Sequence, residues 1–261
     1  MKQFYFLSGL ARSGSTLLGS ILNQHPSVHV TPTSPLLDLL NYANQALNTV
    51  QQQYTFDFKT VSTDIYVGLF ESFNQRVSKP IIIDKHRGWV KNIPVIESVI
   101  KQTPKVLCTY RPIPEVMTSF LKLMDKDPNN FIDAHLLKDG QKINLANRCE
   151  CMWTSYIREI HDAITFGLEF NREHILMLSY DAIVYDTRTT LSKIGKFLEL
   201  DGLSSLPLEH ITNTCAEAKD EAWGLKDLHT IRPTVKKTSD DPLEVLGNKL
   251  FEHYSQFNLV P

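Results

Sequence analysis

The sequence predicts a three-layer α/β domain in which helices flank a central parallel sheet. Three observations carry that prediction. Short apolar runs at residues 4–7, 80–84, 105–110 and 174–180 alternate with segments of helical periodicity. The first run breaks into a small-residue loop that opens directly onto a helix. Charged residues gather where the runs end, and parallel sheets place their ligands beyond the carboxyl ends of strands.

The first unit reads FYFLSGLARSGSTLLGSILNQHP over residues 4–26. The aromatic, apolar start is a buried strand by composition. Gly9 and Gly14 have the G-x4-G spacing of a Walker A P-loop, with Thr16 in reach of its hydroxyl position. Ser15 stands where that motif has its Lys, and a cation appears earlier, at Arg12. Leu17, Leu18, Ile21 and Leu22 then recur at helical spacing. Strand, loop and helix start together make an anion cradle, because the first helical N–H groups have no backbone partners. An ordinary strand-to-helix turn with a surface Arg is the plainer alternative.

Ser34-Pro35 looks like an N-cap followed by Pro at the first helical position, opening a helix through Leu36, Leu37, Leu39 and Leu40. A further helix carries Val61, Ile65, Leu69, Phe73 and Val77 as an expected buried stripe, with Asp64, Gly68, Glu71 and Gln75 opposite, toward water or a cleft. The run 80–84 ends in Asp84 and is followed by Lys85, His86 and Arg87. Residues 94–100 read as a helix, and the run 105–110 delivers Arg111 at its end. Pro112 and Pro114 mark the start of the helix bearing Val116, Phe120 and Leu123. Residues 125–140, with their DKDPNN run, read as a mobile loop that could serve as a lid. Residues 145–170 read as one long helix, and Leu191, Ile194, Phe197 and Leu198 mark the helix after the last strand. A polar connection at 214–220, the irregular basic stretch WGLKDLHTIRPTVKKTS and a helix over 243–254 complete the chain. With no repeat, low-complexity tract or linker, residues 1–261 read as a single domain.

The composition, 42% hydrophobic and 21% charged, supplies a sizeable core. A formal charge of -2 offers no basic field for nucleic acid, so a polyanionic ligand needs locally placed cations. No stretch reaches membrane-spanning length and residues 4–7 are too short for a signal-peptide core, so a cytoplasmic protein with no membrane partner is expected. The four cysteines lack metal-ligand spacing and are expected as free thiols, with no metal.

Three segments occur together and in order: LARSGSTLL, TYRPIPEVMTSF and LSYDAIVYDTRTTLSKIGKFLEL. This combination resembles the P-loop sulfotransferases, which transfer a sulfuryl group from 3′-phosphoadenosine 5′-phosphosulfate (PAPS), and it looks closer to the protein-tyrosine branch than to the cytosolic small-molecule branch. The resemblance covers the chain to about residue 200 and implies a three-layer P-loop fold with a central parallel sheet. It implies PAPS as co-substrate and a small-molecule, glycan or peptide hydroxyl as acceptor. Arg12, Ser13, Gly14, Ser15, Thr16 and Leu17 match the loop on the 5′-phosphosulfate. Arg111 and Ser119 match the pair on the 3′-phosphate, a role that suits a bidentate guanidinium. Tyr180 matches an aromatic residue lining the nucleotide, with a core tyrosine as the alternative. Lys236 and Lys237 fall where a basic C-terminal loop covers it, or are a solvated pair.

The same resemblance nominates the catalytic groups. Arg12 would offset charge developing on the leaving nucleotide, and Lys85 would stabilise the transferring group unless it pairs with Asp84. Glu71 is the first candidate for the base that takes the acceptor's proton, and His86 the second. One departure matters: the tyrosine branch has a catalytic Arg after its first helix, where this chain reads VTPTSPLLDLL. Lys122 is a candidate replacement. Two other readings stay open at this point. A small P-loop kinase would use the Asp84 strand as its Walker B acid, and a regulatory module would bind nucleotide without turnover.

Overall fold

The computed structural model describes residues 2–49, 58–100, 102–215, 220, 224–236 and 240–260. Its sheet has five parallel strands in the order β2-β3-β1-β4-β5. These are β1 (Gln3–Gly9), β2 (Val28–Val30), β3 (Ile81–Lys85), β4 (Val106–Tyr110) and β5 (Ile175–Ser179). Chain order reverses direction across the sheet between β1 and β4, whose registers pair Phe6 with Val106 and Gly9 with Thr109. A crevice opens at such a reversal, outside the strand ends. The three-layer α/β expectation holds. β2 is an addition: a three-residue VHV strand is too short to stand out as a hydrophobic run.

Two apolar clusters occupy the two faces of the sheet. One gathers Phe6, Trp89, Phe70 and the helices α5 (Ile113–Met124), α7 (Leu145–Met152) and α8 (Arg158–Phe170). The other joins Tyr5, Leu7 and Leu107 to α1 (Ser15–Leu22) and α10 (Thr187–Leu198). The last helix, α11 (Pro242–Ser255), contributes Leu246 and Tyr254 to the first cluster. All four cysteines are buried free thiols. Among the described residues no helix is long and apolar enough to cross a membrane.

Three expectations are corrected. Residues 125–140 are not a lid loop: α6 (Phe131–Lys138) forms there, capped by Asn130, whose Oδ1 accepts from the Asp133 N–H at 2.9 Å. Asp133 in turn takes the Arg148 guanidinium (Nε–Oδ1, 2.7 Å), so polar residues that read as loop are buried capping and pairing groups. In α3 (Phe58–Asn74) the expected stripe is turned outward, with Val61, Ile65 and Phe73 all at least 36% exposed. Phe70 sets the face instead, packing edge-on against Phe4 at 5.5 Å and Phe6 at 6.3 Å. The 145–170 helix is interrupted by a π turn at Trp153–Ile157, between α7 and α8. The remaining helices are α2 (Leu36–Leu47), α4 (Ile93–Ile100) and α9 (Tyr180–Tyr185).

Candidate active site

The loop between β1 and α1 is forced into shape by two glycines. Gly9 has φ 141°, and a Cβ there would sit 2.2 Å from Thr109 Oγ1. Gly14 has φ 90° and presses against the Tyr180 ring, where a Cβ would stand 3.0 Å from Cδ2. Ser13 is fully buried, its hydroxyl 2.6 Å from both the Leu10 carbonyl and Thr109 Oγ1, so its side chain braces the loop. Ser15, Thr16 and Leu17 are half-buried and face the cleft. Gly14 caps α1 with no side-chain hydrogen bond, which leaves the helix start open to an external acceptor.

Two guanidiniums meet beside this loop. Arg111, only 4% exposed, leaves the end of β4 and lies over the Tyr180 ring at 4.2 Å. Its Nε donates to Glu115 at 3.0 Å and its Nη1 to the Arg12 carbonyl at 3.2 Å. Its buried Nη2 has no hydrogen-bond partner. Arg12, itself at φ 59°, donates from Nε to Ser119 Oγ at 3.1 Å and from Nη1 to the Leu228 carbonyl. Burial, and then the charge of Arg111, bring the Arg12 pKa down to about 10. Two desolvated like charges side by side, one with an orphaned donor, fit a site that receives an anion.

The end of β3 separates three roles that the sequence left merged. Asp84 is fully buried, accepts from Trp89 Nε1 at 2.8 Å and does not line the cleft. Burial pushes its pKa up to about 6 against hydrogen bonds from Ser34 and Trp89. It therefore neither pairs with Lys85 nor faces the loop as a Walker B acid must, and the kinase reading loses its metal-holding group. Lys85 points the other way, with Nζ 3.1 Å from Thr16 Oγ1, and burial lowers its pKa to about 8. His86 caps the 3₁₀ turn Arg87–Lys91: Nδ1 accepts from the Gly88 N–H at 3.1 Å, and Nε2 lies 3.4 Å from Asp38 Oδ2.

The loop residues 14–17, Arg12, Arg111, Ser119, Lys85 and His86 line one cleft of about 1090 Å³, whereas Ser13 and Asp84 do not. Tyr180 is 8% exposed and lies in the cleft wall, beneath the Arg111 guanidinium. A second wall is apolar, built from Phe120, Leu123, Phe131, Tyr156, Ile160 and Ala163. Tyr156 comes from the π turn and meets Phe131 edge-on at 4.5 Å. Lys122 reaches the cleft but is paired with Asp240 at 2.8 Å. Lys236 is exposed at the rim, and Lys237 lies outside the described residues. Glu71 is exposed on α3 and takes no part in the cleft. Sequence reasoning brought the C-terminal stretch to the site only through Lys236 and Lys237 and missed Leu228 and His229, which reach the cleft beside the loop. The faint signal was a His-bearing basic stretch without periodicity.

A phosphate-loop α/β fold with paired guanidiniums at the strand ends defines a class of group-transfer enzymes acting on anionic nucleotides. The profile of the sulfotransferase family matches residues 5–204, and the chain belongs to that family. A comparison with curated proteins finds no significant match. Among solved structures, mouse sulfotransferase SULT7A1 complexed with PAP is similar at 15% identity and TM-score 0.57, over 98% of this chain and 83% of that one. The sulfotransferase domain of the Synechococcus PCC 7002 olefin synthase is similar at 16% identity and TM-score 0.53, over 100% and 96%. At these identities the two structures speak for the fold.

Proposed function

We propose that this chain, as one domain, transfers the sulfuryl group of PAPS to the hydroxyl of an apolar small molecule. The observation that carries the donor assignment is Arg111, buried, stacked on Tyr180 and holding an orphaned Nη2 beside the open start of α1. Arg111 and Ser119 would hold the 3′-phosphate, and the N–H groups of residues 12–17 the 5′-phosphosulfate. Bound PAPS supplies an electrophilic sulfur whose bond to the nucleotide oxygen is the one that breaks. Lys85, already on Thr16, and Arg12 then face the region where negative charge develops.

The acceptor assignment rests on the wall formed by Phe120, Leu123, Phe131, Tyr156, Ile160 and Ala163. Apart from the Tyr156 hydroxyl, that wall offers a glycan's hydroxyls no side-chain hydrogen-bond partner, whereas an apolar body would be desolvated against it. Titration with PAP, and with ATP in the presence and absence of Mg²⁺, tests the donor. Metal-independent PAP binding supports it, and binding of ATP with Mg²⁺ alone would sink it. Labelled PAPS offered with benzyl alcohol, glucose and a tyrosine peptide tests the acceptor class and, through turnover itself, excludes a binding module.

A further inference from the structure

The ends of β3 and β1 are joined beside the phosphate loop, and the joint carries a cation without a partner. The His86 N–H donates to the Leu7 carbonyl at 3.1 Å, and the Ser8 hydroxyl donates to the Arg87 carbonyl. Ser8 directly precedes Gly9, so the Arg87 backbone is clasped where the loop begins. The turn Arg87–Lys91 is also held from α8. An added Cβ on Gly167 would stand 2.5 Å from the Val90 carbonyl oxygen, and Lys91 lies 3.8 Å from Glu159. From this fixed base the Arg87 side chain lines the cleft. Among the described residues its guanidinium has no hydrogen-bond or ion-pair partner. The side chain is accessible to solvent, yet the surrounding protein lowers its pKa, and no carboxylate offsets that effect. Both hold because the exposure is into a concavity rather than outward. A guanidinium stays protonated at pH 7, so Arg87 is a crowded charge with nothing among these residues to neutralise it.

We infer that Arg87 binds the sulfuryl group of PAPS and holds its oxygens through the transfer. The inference rests on the sulfotransferase reading above and adds a catalytic residue to that reading's Arg12 and Lys85. Position selects the sulfuryl group over the rest of the nucleotide. In the sheet order β3-β1-β4 the loop stands in the middle, with Arg111 at the end of β4 on one side. Lys85 and Arg87 leave β3 on the other. A nucleotide with its 3′-phosphate on Arg111 and its 5′ end on the loop is left with its sulfuryl group toward β3, where Lys85 already reaches Thr16 at 3.1 Å. The charge of Arg87 also depresses the pKa values of Arg12 and Lys85, which puts the guanidinium within electrostatic reach of both. Cations that repel one another in one place are stabilised together by an anion. The planar fork of Arg87 can take two sulfuryl oxygens at once, which the point charge of Lys85 cannot. In the reaction, the acceptor's hydroxyl oxygen bonds sulfur and its proton goes to solvent. The bond from sulfur to the 5′-phosphate oxygen breaks, and its electron pair stays on that oxygen. The sulfuryl oxygens keep their negative charge throughout, so a fixed guanidinium serves them without rearranging as sulfur passes between partners.

PAPS and PAP differ by the sulfuryl group alone, so the pair reads this contact by binding as well as by turnover. Calorimetric titration without acceptor compares both ligands on wild type, Arg87→Ala and Arg87→Lys. Arg87→Ala is expected to weaken PAPS by roughly 10–100-fold, as for a lost charge-assisted bond, and PAP by no more than about threefold. Retained PAP binding also shows that the variant is folded. Transfer from labelled PAPS to benzyl alcohol should slow by roughly 10²–10³-fold in Arg87→Ala, the scale for one donor lost from a reacting group. Arg87→Lys should recover part of both losses, since it keeps the charge and loses the fork. Equal weakening of PAPS and PAP would place Arg87 elsewhere on the nucleotide and overturn the inference. So would a loss of transfer seen with 4-(hydroxymethyl)benzoate and not with benzyl alcohol, because Arg87 would then hold the acceptor's own charge. Wild-type PAPS affinity and transfer in Arg87→Ala would overturn it too, with the donor reading intact. Should wild type bind neither ligand, the donor reading falls, and this inference with it.

Discussion

Arg12 Nε donates to Ser119 Oγ across 3.1 Å, joining the phosphate loop to α5. The family resemblance puts these residues at opposite ends of the nucleotide, yet in the structure they touch. The Arg12 carbonyl receives Arg111, and its Nη1 reaches the Leu228 carbonyl, so one residue ties the loop, β4, α5 and the C-terminal stretch together. Arg12→Ala should slow transfer by roughly one to two decades, as expected for a charge-assisted bond of about 1.5–3 kcal/mol made in the transition state. PAP affinity should fall by less. Amide exchange at Leu228 and His229 should quicken as the anchor is lost. Equal losses in binding and turnover would show that Arg12 only holds the nucleotide.

Arg111→Ala should separate two ligands that differ by one phosphate. PAP affinity should fall by roughly one to two decades, since the lost bonds are charge-assisted. Adenosine 5′-phosphosulfate lacks the 3′-phosphate and should lose far less. Removing the stack with Tyr180→Leu is expected to weaken PAP by about 0.5–2 kcal/mol, the span of cation–π contacts from exposed to desolvated. Calorimetric titration of both ligands decides, and identical losses would remove Arg111 from the 3′-phosphate.

Lys85 predicts an alkaline limit to catalysis. Its pKa is lowered to about 8, with burial as the largest cause, so the ammonium is lost as pH rises through that value. The profile of kcat/KM, which reports the free enzyme, should fall above about pH 8. The profile of kcat should fall later, because a bound anion favours the charged form. Lys85→Arg should move the kcat/KM limb upward while transfer persists, and Lys85→Met should slow transfer at every pH. A limb unmoved in Lys85→Arg would assign it to another group.

How much of this was legible in the sequence depended on range. The β1 loop, Arg111 at the end of β4 and the helix starts at Pro35 and Pro112 follow from local chemistry, and the structure has them. The face of α3 was not legible, because Val61, Ile65 and Phe73 form a more apolar stripe than the buried Ser62, Phe70 and Asn74, and only the contacts of Phe70 with Phe4 and Phe6 turn the helix the other way. That choice also leaves Glu71 in solvent, away from the cleft. Residues 125–140 failed for a related reason: Asn130 and Asp133 look like loop residues until Arg148, fifteen positions on, completes their pairing. The approach of Leu228 and His229 was hidden because they reach the cleft through an irregular segment that has no periodicity to read.

Asp84 offers a test of that long-range burial by stability rather than activity. Its pKa rises from the ordinary 3.8 to about 6, through desolvation that the Trp89 and Ser34 hydrogen bonds only partly offset. A raised carboxyl pKa means the native state holds the proton more tightly than the unfolded chain. This stabilisation is complete below about pH 4 and is lost as pH rises through about 6. A two-unit difference corresponds to about 3 kcal/mol. Asp84→Asn removes this dependence and keeps an Oδ1 for the Trp89 N–H, but it puts an amide where Oδ2 has no partner. That unsatisfied group costs about 1–3 kcal/mol at every pH. The mutant should therefore be less stable than wild type at pH 4 and close the gap, or pass it, by pH 7. Urea unfolding at pH 4, 5, 6 and 7 measures the difference. A gap that stays constant across the series would mean that Asp84 has the same pKa in the native and unfolded states, and the burial argument for its raised value would fall.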